Sequence, residues 1–138
     1  MEIYNLKDNI EVFYIAADKL PEGIEPAHKK LHSILNDGKM RKFFGISYPN
    51  ENGNIIYKAA AEELLPGESE KYGLEGFTIR KGDYISKTLL NWQSDVTQVS
   101  KVFQELLKDK RIDKTGYCLE IYINDNDMIC MVPIEPAQ

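Results

Sequence analysis

The C-terminal stretch GYCLEIYINDNDMICMVPIE, Gly116 to Glu135, constrains the fold more than any other part of the chain. Two alternating, largely apolar runs flank the turn-forming NDND at 124 to 127, the pattern of an antiparallel β-hairpin. A two-residue loop sets Asn124 opposite Asp127, and therefore Glu120 opposite Met131 and Ile121 opposite Cys130. Because side chains alternate between the faces of a strand, Tyr117, Leu119, Ile121 and Ile123 then share a face with Met128, Cys130, Val132 and Ile134. Cys118, Glu120, Tyr122, Ile129, Met131 and Pro133 occupy the other. In this register Cys118 and Cys130 point to opposite faces, which argues against a disulfide.

Further runs bounded by turn residues predict strands near 11–17, 42–48, 54–61, 74–80 and 83–90, besides 117–123 and 128–134 in the hairpin. Two helices interrupt them. One opens near Pro26, with Ala27, Leu31, Ile34 and Leu35 on one side, and ends near Gly38. The other starts at Ser94 or Asp95 and carries the stripe Val96, Val99, Phe103 and Leu106. Between Glu63 and Gly73 the segment ELLPGESEKYG reads as a solvated acidic loop.

This loop separates two similar halves, about 10–62 and 74–135, each reading strand, helix, hairpin. Leu31 matches Phe103, Asp37 matches Asp109 and Tyr48 matches Tyr122, which puts Ile46 in the place of Glu120. The expected architecture is a single α+β domain over 1–138: duplicated units form an antiparallel sheet with two helices on one face and a ligand groove on the other. If the helices take the face of Leu119 and Cys130, Glu120 lies on the helix-free face among apolar neighbours. A carboxylate there loses hydration, a penalty of several kcal/mol for an unpaired buried charge, and calls for a cationic partner. A ligand would supply that charge, and nearby aromatic rings would add cation–π attraction.

The segments GYCLEIYIN, VFQELL and IRKGDYISKTL resemble the second half of the GyrI-like small-molecule-binding domain family. That family includes the DNA gyrase inhibitor protein and the effector-binding domains of multidrug-responsive AraC/MerR-type regulators. The resemblance implies an aromatic pocket for cationic or amphipathic compounds with Glu120 in its floor and Tyr84 of the GDY segment beside it. Trp92 follows the Tyr84 strand. Tyr122 and Met131 neighbour Glu120 in the predicted register, and Tyr48, Tyr57 and Phe44 follow from the repeat and the alternation. With about ten residues before the first predicted strand, the chain is expected to be a stand-alone member without a DNA-binding domain. The resemblance also implies two alternatives: hydrolysis of strained cyclopropane-type electrophiles in the same pocket, with Glu120 catalytic, and interaction with a protein such as DNA gyrase.

Other chemistries find less support. A net charge of −5 offers no basic stripe for direct nucleic-acid contact. No run approaches the length of a membrane span and the N-terminal residues do not form a secretion signal, so a cytoplasmic protein without membrane contact is expected. His28 and His32, the only histidines, sit at i, i+4 with no third ligand beside them, so no metal is expected. Ser86 and Ser100 lack an elbow motif, no phosphate-binding glycine loop occurs, and no cofactor is implied.

Overall fold

The computed structural model describes residues 1–136. Its elements run β1 (Glu2–Leu6), β2 (Ile10–Ala16), α1 (Ile24–Ile34), β3 (Phe43–Pro49), β4 (Ile55–Glu62), α2 (Glu68–Tyr72), β5 (Glu75–Ile79), β6 (Gly82–Leu89), a 3-10 turn (Trp92–Ser94), α3 (Thr97–Leu106), β7 (Cys118–Tyr122) and β8 (Met128–Pro133). The class is α+β with antiparallel strands, as expected. Three helices replace the expected two.

The chain divides into two compact units, Asn9–Ile79 and Met1–Asp8 with the residues from Arg80 onward. In the first unit β4 pairs with both β3 and β2, and β2 pairs on its far side with β5. Helix α1 lies on this sheet. Its Ala27 and Leu31 pack with Phe13, Tyr57, Ala59 and Ala61, and the two sheet alanines leave room for a close helix. Pro26 falls in the first turn, where its missing N–H costs nothing, and the helix closes with the Leu35 N–H donating to the Leu31 carbonyl at 3.1 Å.

In the second unit β6 pairs with β1 and β8, and β8 pairs with β7. Helix α3 lies principally on β8 and β6, closing a core of Ile85, Leu89, Val102, Leu106, Met128, Cys130 and Val132. The Asp95 carboxylate accepts from the Thr97 backbone N–H at 3.2 Å and so serves the opening of α3, although Val96 holds the cap position. Strand β1 was not anticipated. Glu2, Ile3 and Tyr4 are all exposed on this edge, so no alternation marks it in the sequence.

The acidic segment also departs from expectation. Residues 68–72 form α2, and Glu68, far from being solvated, is 4% exposed. Its carboxylate receives two hydrogen bonds from Arg41, at 2.9 and 2.6 Å, and the backbone N–H groups of Leu64 and Leu65 at 2.6 and 3.0 Å. Asp37 also accepts from Arg41, at 2.6 Å, and from the Tyr72 hydroxyl at 3.1 Å. The Arg41 guanidinium holds Glu68 down to about 2 despite its burial. Removing Glu68 leaves the buried Arg41 with Asp37 as its remaining carboxylate partner among the described residues, in a site that hydrates the guanidinium poorly. Glu68→Ala should therefore cost about 3 to 5 kcal/mol in denaturant-induced unfolding, whereas an effect below 1 kcal/mol would show that Arg41 finds other acceptors.

His28 on α1 lies 2.8 Å from the Tyr57 hydroxyl, its ring edge-on to the tyrosine at 5.7 Å. Burial, helped by the neighbouring His32, pushes its pKa down to about 4. The folded chain thus takes up this proton less readily than the unfolded chain, so acid favours unfolding. The stability tied to His28 is complete above about pH 6.5 and is lost as pH falls to about 4, a window above the one in which Glu68 titrates. His28→Gln should flatten the pH dependence of the melting temperature between pH 6.5 and 4 and leave the steeper loss at lower pH.

Candidate functional site

The hairpin does not close with two residues. The Ile123 N–H donates to the Asp127 carbonyl at 3.0 Å, leaving Asn124, Asp125 and Asn126 as a three-residue loop. The register moves by one: Glu120 faces Cys130, Leu119 faces Met131 and Tyr122 faces Met128. Since cross-strand partners share a face, Cys118, Glu120 and Tyr122 lie with Met128, Cys130 and Val132 on the side that carries α3. The expected place of Glu120 on the helix-free face is thus corrected, as is the placing of the two cysteines on opposite faces. Among the described residues neither cysteine forms a disulfide.

The apolar setting survives this change with different members. Helix α3 covers mainly β8 and β6, so the α3-side residues of β7 remain half-buried at its margin. Glu120 Oε1 accepts the Tyr122 hydroxyl at 2.7 Å. Trp92 completes the cluster, its ring 5.9 Å from that of Tyr122 and tilted 45°. Burial and the Glu120 charge together push the Cys130 thiol up to about 12, which marks how closely the carboxylate faces that part of the core.

Trp92 owes its position to the hairpin tip. Its backbone N–H donates to the Asn126 carbonyl at 3.1 Å, and the Asn91 N–H donates to the Asp127 carboxylate at 2.9 Å. Asn91 takes the left-handed φ of 52° that lets the chain turn there. The indole Nε1 is buried and, among the described residues, has no hydrogen-bond partner. A buried donor in that state carries a desolvation cost that no bond within the described residues offsets. Asn126 and Asp127, which the sequence marks only as turn formers, thus fix the backbone at Asn91 and Trp92.

Of the other predicted residues, Tyr84 and Met131 lie on the opposite face of this sheet, because Ile85 and Cys130 point to α3. Met131 is fully buried and does not adjoin Glu120. Tyr84 donates to the Arg80 carbonyl at 2.6 Å and lies 2.7 Å from the Tyr117 hydroxyl, and its burial raises its pKa well above the usual phenol range. A recess of about 340 Å³ beside it is lined by Asn5, Arg80, Lys81, Asp83 and Asp113 among others, and Glu120 does not line it.

In the first unit Tyr57 faces α1 and meets His28, whereas Phe44, Ile46 and Tyr48 face away from it. Phe44 is fully buried. The repeat as matched in the sequence therefore pairs residues on unlike faces: Ile46 and Tyr48 lie away from their helix, Glu120 and Tyr122 toward theirs. Among the described residues no group of three or more His, Cys, Asp or Glu side chains is arranged to hold a metal ion, and His32 stacks on Phe43 at 4.1 Å. No helix is long and apolar enough to cross a membrane.

No protein-family model matches the chain, and no curated protein matches it in sequence. Solved structures do. An integron cassette protein from the mobile metagenome of Vibrio cholerae is 14% identical, with a TM-score of 0.69 over 97% of this chain and 95% of its own. The protein SAV2435 bound to tetraphenylphosphonium is 11% identical, with a TM-score of 0.64 over 97% and 93%. A hydrolase from Listeria innocua is 10% identical, with a TM-score of 0.56 over 97% and 91%. At these identities the likeness is one of fold.

Proposed function

We propose that the chain binds aromatic or amphipathic small molecules carrying a positive charge, with Glu120 as counter-charge and Tyr122 and Trp92 as walls. The observation that carries this reading is the cluster itself: a half-buried carboxylate hydrogen-bonded to Tyr122 at 2.7 Å, with the Trp92 ring 5.9 Å from that tyrosine. A lipophilic cation places delocalised charge against such a carboxylate while its rings stack on the indole and phenol, two attractions that strengthen as water is excluded. The fold neighbour bound to tetraphenylphosphonium, a cation of this kind, supports the choice of ligand class. In this reading Tyr84, Met131 and Phe44 hold the strands in place, and Tyr48 and Tyr57 belong to the separate aromatic arrangements of the first unit.

Calorimetric titration of tetraphenylphosphonium should show binding to the wild type that weakens about tenfold, or ~1.4 kcal/mol, in Glu120→Gln. Trp92→Leu should weaken it by a similar factor. Equal affinity in the wild type and Glu120→Gln would remove Glu120 from the mechanism. A hydrolytic use of the same carboxylate, orienting water toward a strained electrophile, is the second reading, supported by the fold neighbour described as a hydrolase. Turnover of a cyclopropane-bearing substrate that disappears in Glu120→Gln while binding persists separates it from the first.

A further inference from the structure

Lys58 is a buried charge that the Glu120 reading leaves unused. It is only 8% exposed. On β4 the side chains of Tyr57, Ala59 and Ala61 point to α1, so Lys58 points to the opposite face. There the strand register brings Tyr48 from β3, Tyr14 from β2 and Phe77 from β5 onto the same side. The Lys58 ammonium stands 4.3 Å from the centre of the Tyr14 ring, 4.7 Å from Phe77 and 4.8 Å from Tyr48. Tyr48 and Phe77 are near-parallel, at 20°, with centres 6.3 Å apart. Tyr14 is fixed by its hydroxyl, which donates to the Glu75 carboxylate at 2.6 Å. Burial and that carboxylate together push its pKa up to about 12, so the ring stays a neutral phenol.

Among the described residues no carboxylate lies within ion-pair distance of the Lys58 ammonium. The three rings are its surroundings. A primary ammonium carries three N–H donors and is strongly hydrated, and ring faces satisfy such donors poorly. A quaternary ammonium has no donors to satisfy, is weakly hydrated, and presents methyl groups that fit against ring faces. The cage therefore suits a quaternary ammonium better than it suits the cation it holds. Lysine is also a flexible four-carbon arm, able to leave without moving the strand that bears it. A recess of about 430 Å³ is lined by Tyr48, Pro49, Asn50, Glu51, Asn52 and Ile56, so Tyr48 and an acidic residue belong to one hollow.

We propose that Tyr14, Tyr48 and Phe77 form a second cation site whose resident occupant is Lys58, and that a small quaternary ammonium competes with Lys58 for it. The site lies in the first unit and does not depend on the Glu120 reading.

The test is titration of tetramethylammonium chloride against the full chain, followed by proton NMR of the methyl line. Lys58→Ala empties the cage and should bind at least tenfold more tightly than the wild type, with the methyl line moved upfield by the rings. Lys58→Met refills the cage with a neutral arm and should bind no better than the wild type. Adding Tyr14→Leu to Lys58→Ala should abolish the gain. Equal affinity in the wild type and Lys58→Ala, or a gain that survives the loss of Tyr14, overturns the proposal. Repeating the comparison in a Glu120→Gln background should give the same ratio between Lys58→Ala and the unchanged Lys58, so failure at one site is read separately from failure at the other. Should Lys58→Ala not fold, the wild type still decides: the Lys58 Hε protons must lie upfield of their unfolded position, and unshifted lines refute the cage.

Discussion

One hydrogen bond, from the Ile123 N–H to the Asp127 carbonyl, decides which face of the second unit carries Glu120. It closes the hairpin around three residues, and with a side-chain period of two the loop length determines the face of every residue on β7. The tip is held by its own side chains. Asn124 Oδ1 accepts from the backbone N–H groups of Asn126 and Asp127 at 2.7 and 2.9 Å, and the Asn124 amide donates to the Asp127 carboxylate at 2.9 Å. That carboxylate also accepts from Asn91, and the Asn126 carbonyl accepts from Trp92. The loop that turns Glu120 toward α3 is therefore the loop that holds Trp92 above Tyr122.

The sequence made the seven strands after residue 9 and the two long helices legible, because each carries its periodicity within itself. What depended on counting across a turn was less legible. NDND is compatible with two- and three-residue loops, and only the hydrogen-bond pattern separates them. The same slip entered the repeat. Asn50 and Asn124 correspond by eye, yet the Asn50 N–H donates to the Asn54 carbonyl as part of the closing pair, whereas Asn124 sits inside its loop. Matching Tyr48 to Tyr122 thus joined residues on unlike faces. Of the predicted site, Glu120, Tyr122 and Trp92 come together, while Tyr84 and Met131 fall on the other side of the sheet.

Two buried charges show why composition misleads about segments. The acids between Glu63 and Gly73 look solvated, but a carboxylate that accepts a two-pronged guanidinium and two backbone N–H groups has its hydration replaced. The partner, Arg41, lies 27 residues earlier in the chain, beyond any local pattern. Lys58 is equally hidden in a run that reads simply as a strand, because the rings around it come from three other strands.

The two aromatic clusters solve opposite problems with the same side chains. Around Lys58, neutral rings surround a cation, and the charge is part of the chain. Around Glu120, a phenol donates to an anion and an indole lies beside that phenol. A phenol hydroxyl can donate a hydrogen bond to a carboxylate while its ring packs elsewhere, and Tyr122 bonds Glu120 while its ring meets Trp92. The indole cannot accept, and its buried N–H has no hydrogen-bond partner among the described residues.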